Sequence, residues 1–260
     1  MSPSQPPKLF ARLARLGSLM LIASVTVIAT PRLVAAQSIP SIWEANYQPP
    51  AGIGAPQRVE GGASRDGRRD TRILTALVPT SNQFGATLAA RPTIYTHMPA
   101  AVNADVASIV EFELLDEAGQ LIYLTDRLLP AETAGIVSIR LPESAPALDV
   151  DRNYQWMVRV YDRNDEVIGQ TEGWIQRVDR PAQLPANLQR ATAYDQAMHY
   201  AEARLWYDAL AAMAIAYREN PTAEVRKSWT QLLRSAGLAE VANARLLQEL
   251  SVTERQAFEL

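Results

Sequence analysis

The sequence predicts an α+β protein, an antiparallel β-sandwich followed by a C-terminal helical segment. Three observations carry this reading. Between Tyr154 and Val178, apolar and polar residues alternate on both sides of a run of turn formers. From Ile73 to Leu141 the same period of two recurs in short stretches broken by Pro and Gly. Beyond Val178 the apolar period lengthens to three and four, which is that of a helix.

The central pair of strands is the clearest. In Tyr154-Gln-Trp-Met-Val-Arg-Val-Tyr161, the residues Tyr154, Trp156, Val158 and Val160 share one face. Asp162 to Glu166 supplies turn residues, and the chain returns through Val167-Ile168 to Gly173-Trp174-Ile175-Gln176-Arg177-Val178. Ahead of this hairpin, Ile73 to Val78 stops at Pro79, and Thr93 to Met98 stops at Pro99. Ser108 to Leu115 places Val110, Phe112 and Leu114 opposite Glu111 and Glu113. Asp116-Glu-Ala-Gly119 is a turn, with glycine where positive φ is needed, and Gln120 to Thr125 is its partner strand. Ile136 to Leu141 alternates again, with Val137, Ile139 and Leu141 inward. About seven short strands of this kind, one apolar face each, predict a sandwich of immunoglobulin or fibronectin type. Such a fold hosts adhesion, scaffolding and sugar binding alike and assigns no function by itself.

In the helical part, Thr192 caps a helix with Asp195 in the capping-box position. Tyr194, Ala197, Met198, Ala201 and Leu205 begin a stripe that continues through Leu210, Met213, Ala214 and Tyr217. Asn220-Pro221 ends it, Thr222 caps the next helix, and Gly237 stops that one after Trp229, Leu232, Leu233 and Ala236. Tyr200 to Pro221 resembles one tetratricopeptide unit, too little for a solenoid. A helical hairpin or three-helix appendage leaning on the sandwich is expected.

Lys8, Arg12 and Arg15 precede an uncharged apolar run from Leu16 to Ala29, and Val34-Ala35-Ala36 presents small residues to a signal peptidase. This is the layout of a secretory signal cleaved between Ala36 and Gln37, and it predicts a periplasmic or secreted protein. The run is shorter than the roughly 20 residues that span a bilayer, so a membrane location follows only if the segment is retained. The expected organisation is a signal peptide over 1–36 and a disordered Pro/Gly/Arg-rich linker over 37–70. The sandwich follows over 71–180, then the helical segment over 186–248 and a tail over 249–260.

Composition narrows the function. At 260 residues and 48% apolar, the chain can build a real core. With no cysteine it has no disulfide framework, thiolate metal site or cysteine nucleophile. The net charge of −3 hides an acidic body, because the signal carries four of the 25 basic groups and no acid. The remaining 21 face 28 acidic groups, about −7, which argues against nucleic-acid binding. Arg58, Arg65, Arg68, Arg69 and Arg72 stand out in the linker and read as a solvated arm.

Several pieces together carry a family resemblance. They are the Arg/Gly-rich lead-in, Leu74-Thr-Ala-Leu-Val-Pro79, Arg91-Pro-Thr-Ile94, Gly135-Ile-Val-Ser138 and Tyr154-Gln-Trp156. Glu172-Gly-Trp-Ile175 with Arg177-Val178, and Tyr200-Ala-Glu-Ala203 with Trp206-Tyr-Asp-Ala-Leu210, complete the set. In this order they resemble an exported cyanobacterial family known only as domain of unknown function 928, over roughly Gly61 to Ala242. The resemblance implies a periplasmic or secreted location and carries over no activity, cofactor or catalytic residue. Family members often join the two central strands by a longer connection than the one here.

No catalytic constellation emerges, and the expected protein is not an enzyme. The two histidines, His97 and His199, lack a ligand-pair spacing and read as structural. Asp149, Asp151 and Asn153 begin like a calcium loop, but Tyr154 and Val160 stand where Gly and Glu belong. Gly61-Gly-Ala-Ser64 is no nucleophile elbow, and Glu111 and Glu113 read as outward acids. No metal or cofactor is expected. The aromatic residues have most to contribute. Trp156 reads as core, whereas Trp206 and Tyr207 are adjacent and cannot both face inward on a helix. Trp206, Tyr207, Trp174 and Tyr217 are therefore the candidate partner-binding residues. The expected function is an envelope scaffold that holds a protein partner on its helices. The alternative is a polysaccharide or peptidoglycan binder using aromatics on the sheet, and a hydrolase comes last.

Overall fold

The structure is a computed structural model and describes residues 74–103, 105–125 and 128–250. The expected signal peptide and linker, and the tail beyond Leu250, lie outside the described residues. In chain order the elements begin with β1 (Thr75–Ala76), β2 (Phe84–Thr87), β3 (Thr93–Met98), β4 (Ala107–Asp116) and β5 (Leu121–Leu124). Then come β6 (Gly135–Arg140), β7 (Asn153–Asp162) and β8 (Val167–Arg177). The helices α1 (Ala193–Glu202), α2 (Trp206–Glu219) and α3 (Ala223–Ser235) follow, and β9 (Leu246–Glu249) comes last.

The fold is mixed α+β, with two sheets rich in antiparallel pairs and three C-terminal helices. One sheet runs β2-β8-β7-β4-β5 and the other β1-β3-β6-β9. β7 and β8 form the central hairpin, and β7 alternates between buried and half-buried residues as its period of two requires. Tight turns set the registers. Asp162 accepts from the amides of Asn164 and Glu166 at 2.8 and 3.0 Å, which holds its carboxyl below the usual range, the Glu166 bond foremost. Asp116 accepts from the amides of Ala118 and Gln120 at 2.9 and 2.8 Å, and Gly119 takes φ +78 in that turn.

Two strands depart from the sequence reading. β2, at Phe84-Gly-Ala-Thr87, pairs in parallel with β8, and β9 pairs in parallel with β6 from beyond the helices. Of the expected strand over Ile73 to Val78, Ile73 lies outside the described residues, and within the remainder β1 takes Thr75–Ala76. β6 does not alternate, because Ile136 and Ser138 are as buried as Val137 and Ile139. The four-stranded sheet is covered on both faces there, and Arg218 of α2 reaches Ser138.

The helix caps are those the sequence predicts. Asp195 donates its amide to the Thr192 hydroxyl and accepts a bond from it, and the amide of Val225 bonds Thr222. The stripe from Tyr194 to Tyr217 is not one helix, however. It breaks at Ala203 to Leu205, where Arg204 takes φ +60. The apolar residues of both sheets and all three helices join one buried cluster, so the helices are part of the core.

Candidate functional site

α2 enters the molecule by its first turn. It lies against β2 of one sheet and β3 of the other. Trp206 and Tyr207 are 0% and 2% exposed, so the expectation that one of them faces outward is corrected. Adjacent helical residues point about 100° apart, and a groove between two sheets is wide enough to take both. The indole N–H of Trp206 donates to the Leu77 carbonyl at 2.8 Å. The Tyr207 hydroxyl accepts from the indole N–H of Trp156 at 2.6 Å and donates to the Trp174 carbonyl at 3.0 Å. Both sheets are thus tied to one helical turn.

Two glycines make room for this plug. A Cβ on Gly85 would stand 2.7 Å from the Tyr207 ring, and one on Gly173 would stand 2.5 Å from the Trp156 ring. In the same turn, Asp208 accepts the amide of Leu88 at 2.9 Å and also bonds the Thr87 side chain. Burial is the main reason its carboxyl is pushed up to about 6, although part of the residue's surface stays accessible. This is packing chemistry, and it uses Trp206 and Tyr207, two of the expected partner-binding residues.

The other two candidates are half-buried. Trp174 lies on the outer face of the five-stranded sheet, in register with Phe84 on one side and Gln155 on the other. Tyr217 packs against Trp229, ring centroids 5.6 Å apart. Around Trp174 the outer face is polar. Gln155 donates to Glu172 at 3.1 Å, Arg159 pairs with Glu113 and lies 3.6 Å from Glu111, and Tyr161 donates to Glu111 at 3.0 Å. Burial works against the charge of Arg159, and Glu113 and Tyr161 together more than offset it. Tyr161 is raised above the usual phenol range by burial first and by Glu111 second. The acids on β4 are outward, as the alternation predicts, and they share Arg159 and the Tyr161 hydroxyl of the neighbouring strand.

Sequence reasoning missed the border beside this face. Among the described residues, five large apolar side chains are exposed, and four of them are spread along β5 and the segments next to it and to the start of β4. Leu121 and Leu124 on β5 are 56% and 45% exposed, with Val106 ahead of β4 at 47% and Leu129 beyond β5 at 48%. In register, Leu121 pairs with Leu115 and Leu124 with Glu113, so both leucines point outward. β5 ends the sheet, and its far side meets no strand among the described residues. The signal was present in Gln120 to Thr125, whose alternation is poor because both faces carry apolar residues.

The remaining features hold less. An open depression of about 350 Å³ is lined by Asn187, Leu188, Arg190, Asp195 and His199 among others. Asp195 there serves as a helix cap, and His199 lies 3.6 Å from Glu202. His97 is half-buried on β3, which lowers its pKa. Among the described residues no group of three or more His, Cys, Asp or Glu could hold a metal, and no helix is long and apolar enough to cross a membrane.

Among solved structures, the chain is similar to a calcium-binding mutant of beta-glucuronidase 2 from Bacteroides uniformis, at 11% identity and a TM-score of 0.28. That match covers 68% of this chain and 28% of the other, so this chain spans less than a third of that protein's length. No curated protein matches it. The family model described as Domain of Unknown Function (DUF928) matches residues 60–246, and the chain belongs to that family.

Proposed function

We propose that this protein is an exported, non-enzymatic interaction module of the cell envelope, and that it holds a protein partner along the β5 border of its five-stranded sheet. The observation that carries the reading is the exposure of Leu121 and Leu124 on the edge strand β5, with Leu129 beyond it and Val106 ahead of β4 exposed as well. Apolar edge strands are sites where another chain adds on, and soluble proteins ordinarily blunt them with charge or proline. The helices contribute scaffold, because Trp206 and Tyr207 are spent on the core.

The finer assignments belong to the same proposal. The β7–β8 hairpin with its buried Trp156 supports an immunoglobulin-like scaffold. The small residues Ala209, Ala212 and Ala216 on the buried side of α2 support a single tetratricopeptide-like unit over Tyr200 to Pro221. Export rests on the basic, apolar and small-residue runs up to Ala36, and N-terminal sequencing of the secreted form is expected to read from Gln37.

The test is site-specific photo-crosslinking of the full chain in its cells. A crosslinker replacing Leu124 is expected to give protein adducts, and one replacing the exposed Ile215 of α2 is not. Adducts from Ile215 alone, or none from Leu124, would overturn the placement. An envelope polysaccharide is the second reading, favoured by Trp174 on the polar outer face. It predicts that Trp174→Ala abolishes co-sedimentation with purified cell-wall polymer.

A further inference from the structure

Without β9, the four-stranded sheet would end at β6. That strand makes a poor edge, since Ile136, Val137, Ser138 and Ile139 are each 2% exposed or less. No charge or proline interrupts Gly135 to Ile139, so nothing in β6 itself blunts it. The cover over it is slight. β9 has four residues, of which Leu246 and Leu247 are half-buried and Gln248 and Glu249 exposed. Its pairing is parallel, the less stable kind, and its far side meets no strand among the described residues.

The ladder between them is interrupted as well. Ile136 pairs with Leu246 and Ser138 with Glu249, two steps on β6 against three on β9, so β9 carries a bulge. Two backbone bonds flank it, from the Ile136 amide to the Arg245 carbonyl at 2.7 Å and from the Leu250 amide to the Ser138 carbonyl at 2.9 Å. Within the bulge the Leu247 carbonyl is taken from outside, by the guanidinium of Arg218 on α2 at 2.7 Å. The same guanidinium reaches the Ser138 hydroxyl at 3.5 Å and bonds the buried Tyr95 hydroxyl, so one side chain joins α2, β3, β6 and β9. Arg140 and Glu249 also pair, at 3.3 Å, but their side chains are 64% and 43% exposed and such a pair holds little. Gly135 completes the seat, because a Cβ there would stand 2.5 Å from the Arg245 carbonyl and 2.7 Å from the Leu247 side chain.

We propose that β9 is a strap pinned by Arg218, which opens while the rest of the fold stays closed and bares the β6 edge when it does. The device lies on the sheet opposite to β5 and works independently of what the β5 border holds. β9 contains neither tryptophan nor helix, so its opening is silent in tryptophan fluorescence and in the helical dichroism. Local openings of this kind are read by amide hydrogen exchange.

In the full chain, the Ile136 and Leu250 amides are expected to exchange at least about 100-fold faster than the amides of β7, at a rate that urea below the unfolding range does not change. The Ile136 amide belongs to the β6 edge and reports its baring directly. Arg218→Ala, a change at an exposed position, is expected to speed both amides about tenfold and to leave β7 unaltered. Glu249→Ala is expected to move them by less than about twofold. Exchange of Ile136 and Leu250 in step with β7 across urea would overturn the strap, because β9 would then open only with the whole fold. An equal response to the two variants, or none to Arg218→Ala, would overturn Arg218 as its pin.

Discussion

The Tyr207 hydroxyl joins the Trp156 indole to the Trp174 carbonyl inside the core, so its removal strands a buried donor. Tyr207→Phe is expected to destabilise the protein by about 1–3 kcal/mol, the cost of an unsatisfied buried polar group. Urea unfolding measures it, and the loss should be smaller when Tyr207→Phe is made in a Trp156→Phe background, because there the donor to be stranded is already gone. Gly85→Ala tests the same plug sterically. Its methyl group would meet the Tyr207 ring at 2.7 Å, and a loss of about 1–3 kcal/mol is expected from overpacking. An unchanged midpoint would mean that α2 can shift away without loss. None of this was legible in the sequence at residue scale. Trp156 was, because strand alternation names its face. Trp206 and Tyr207 were not, because helical spacing describes one face of a rod and cannot anticipate a groove that surrounds the rod's end.

At the scale of elements, Asp208 latches α2 to the end of β2 through Leu88 and Thr87. Its carboxyl is raised from an ordinary 3.8 to about 6, mainly by burial. A carboxyl raised by folding contributes stability that is fully present below the unfolded value and is lost as pH rises through the folded one. Acidification from about pH 7 to about pH 5 should therefore stabilise the wild type relative to Asp208→Asn by roughly 1.4 kcal/mol. His97, lowered by burial, works in the opposite sense, but it is common to both proteins and cancels in the difference. Parallel stability curves for the two proteins across this window would refute the latch. The elements themselves divide by locality. β4, β5, β7, β8 and the caps of α1 and α3 follow from alternation, turn residues and Thr at the N-cap, all written within a few positions. β2 and β9 are four residues each, and their parallel partners lie far along the chain. No local period announces such a strand, since its stability comes from the edge it completes.

At the scale of the whole molecule, the helices were expected as an appendage, and the core says otherwise. The first turn of α2 is bonded to Leu77, on the side of one sheet, and to Trp174 in the other. Beyond α3, β9 returns to complete the four-stranded sheet, with the amide of Ile136 bonded to the Arg245 carbonyl and Arg218 of α2 bonded to the carbonyl of Leu247. The helical segment is thus held at both ends by the sheets, and its apolar face belongs to the same cluster as theirs. Opening the helices would expose Trp156 along with Trp206 and Tyr207 and leave the Trp156 indole N–H without its partner. Unfolding should then be a single cooperative transition. Far-ultraviolet circular dichroism, dominated by the helices, and tryptophan fluorescence, dominated by the core, are expected to give superimposable urea curves. A helical signal lost at lower urea than the fluorescence would restore the picture of an appendage. It would also free the first turn of α2 as a surface, returning Trp206 and Tyr207 to the list of partner-binding residues.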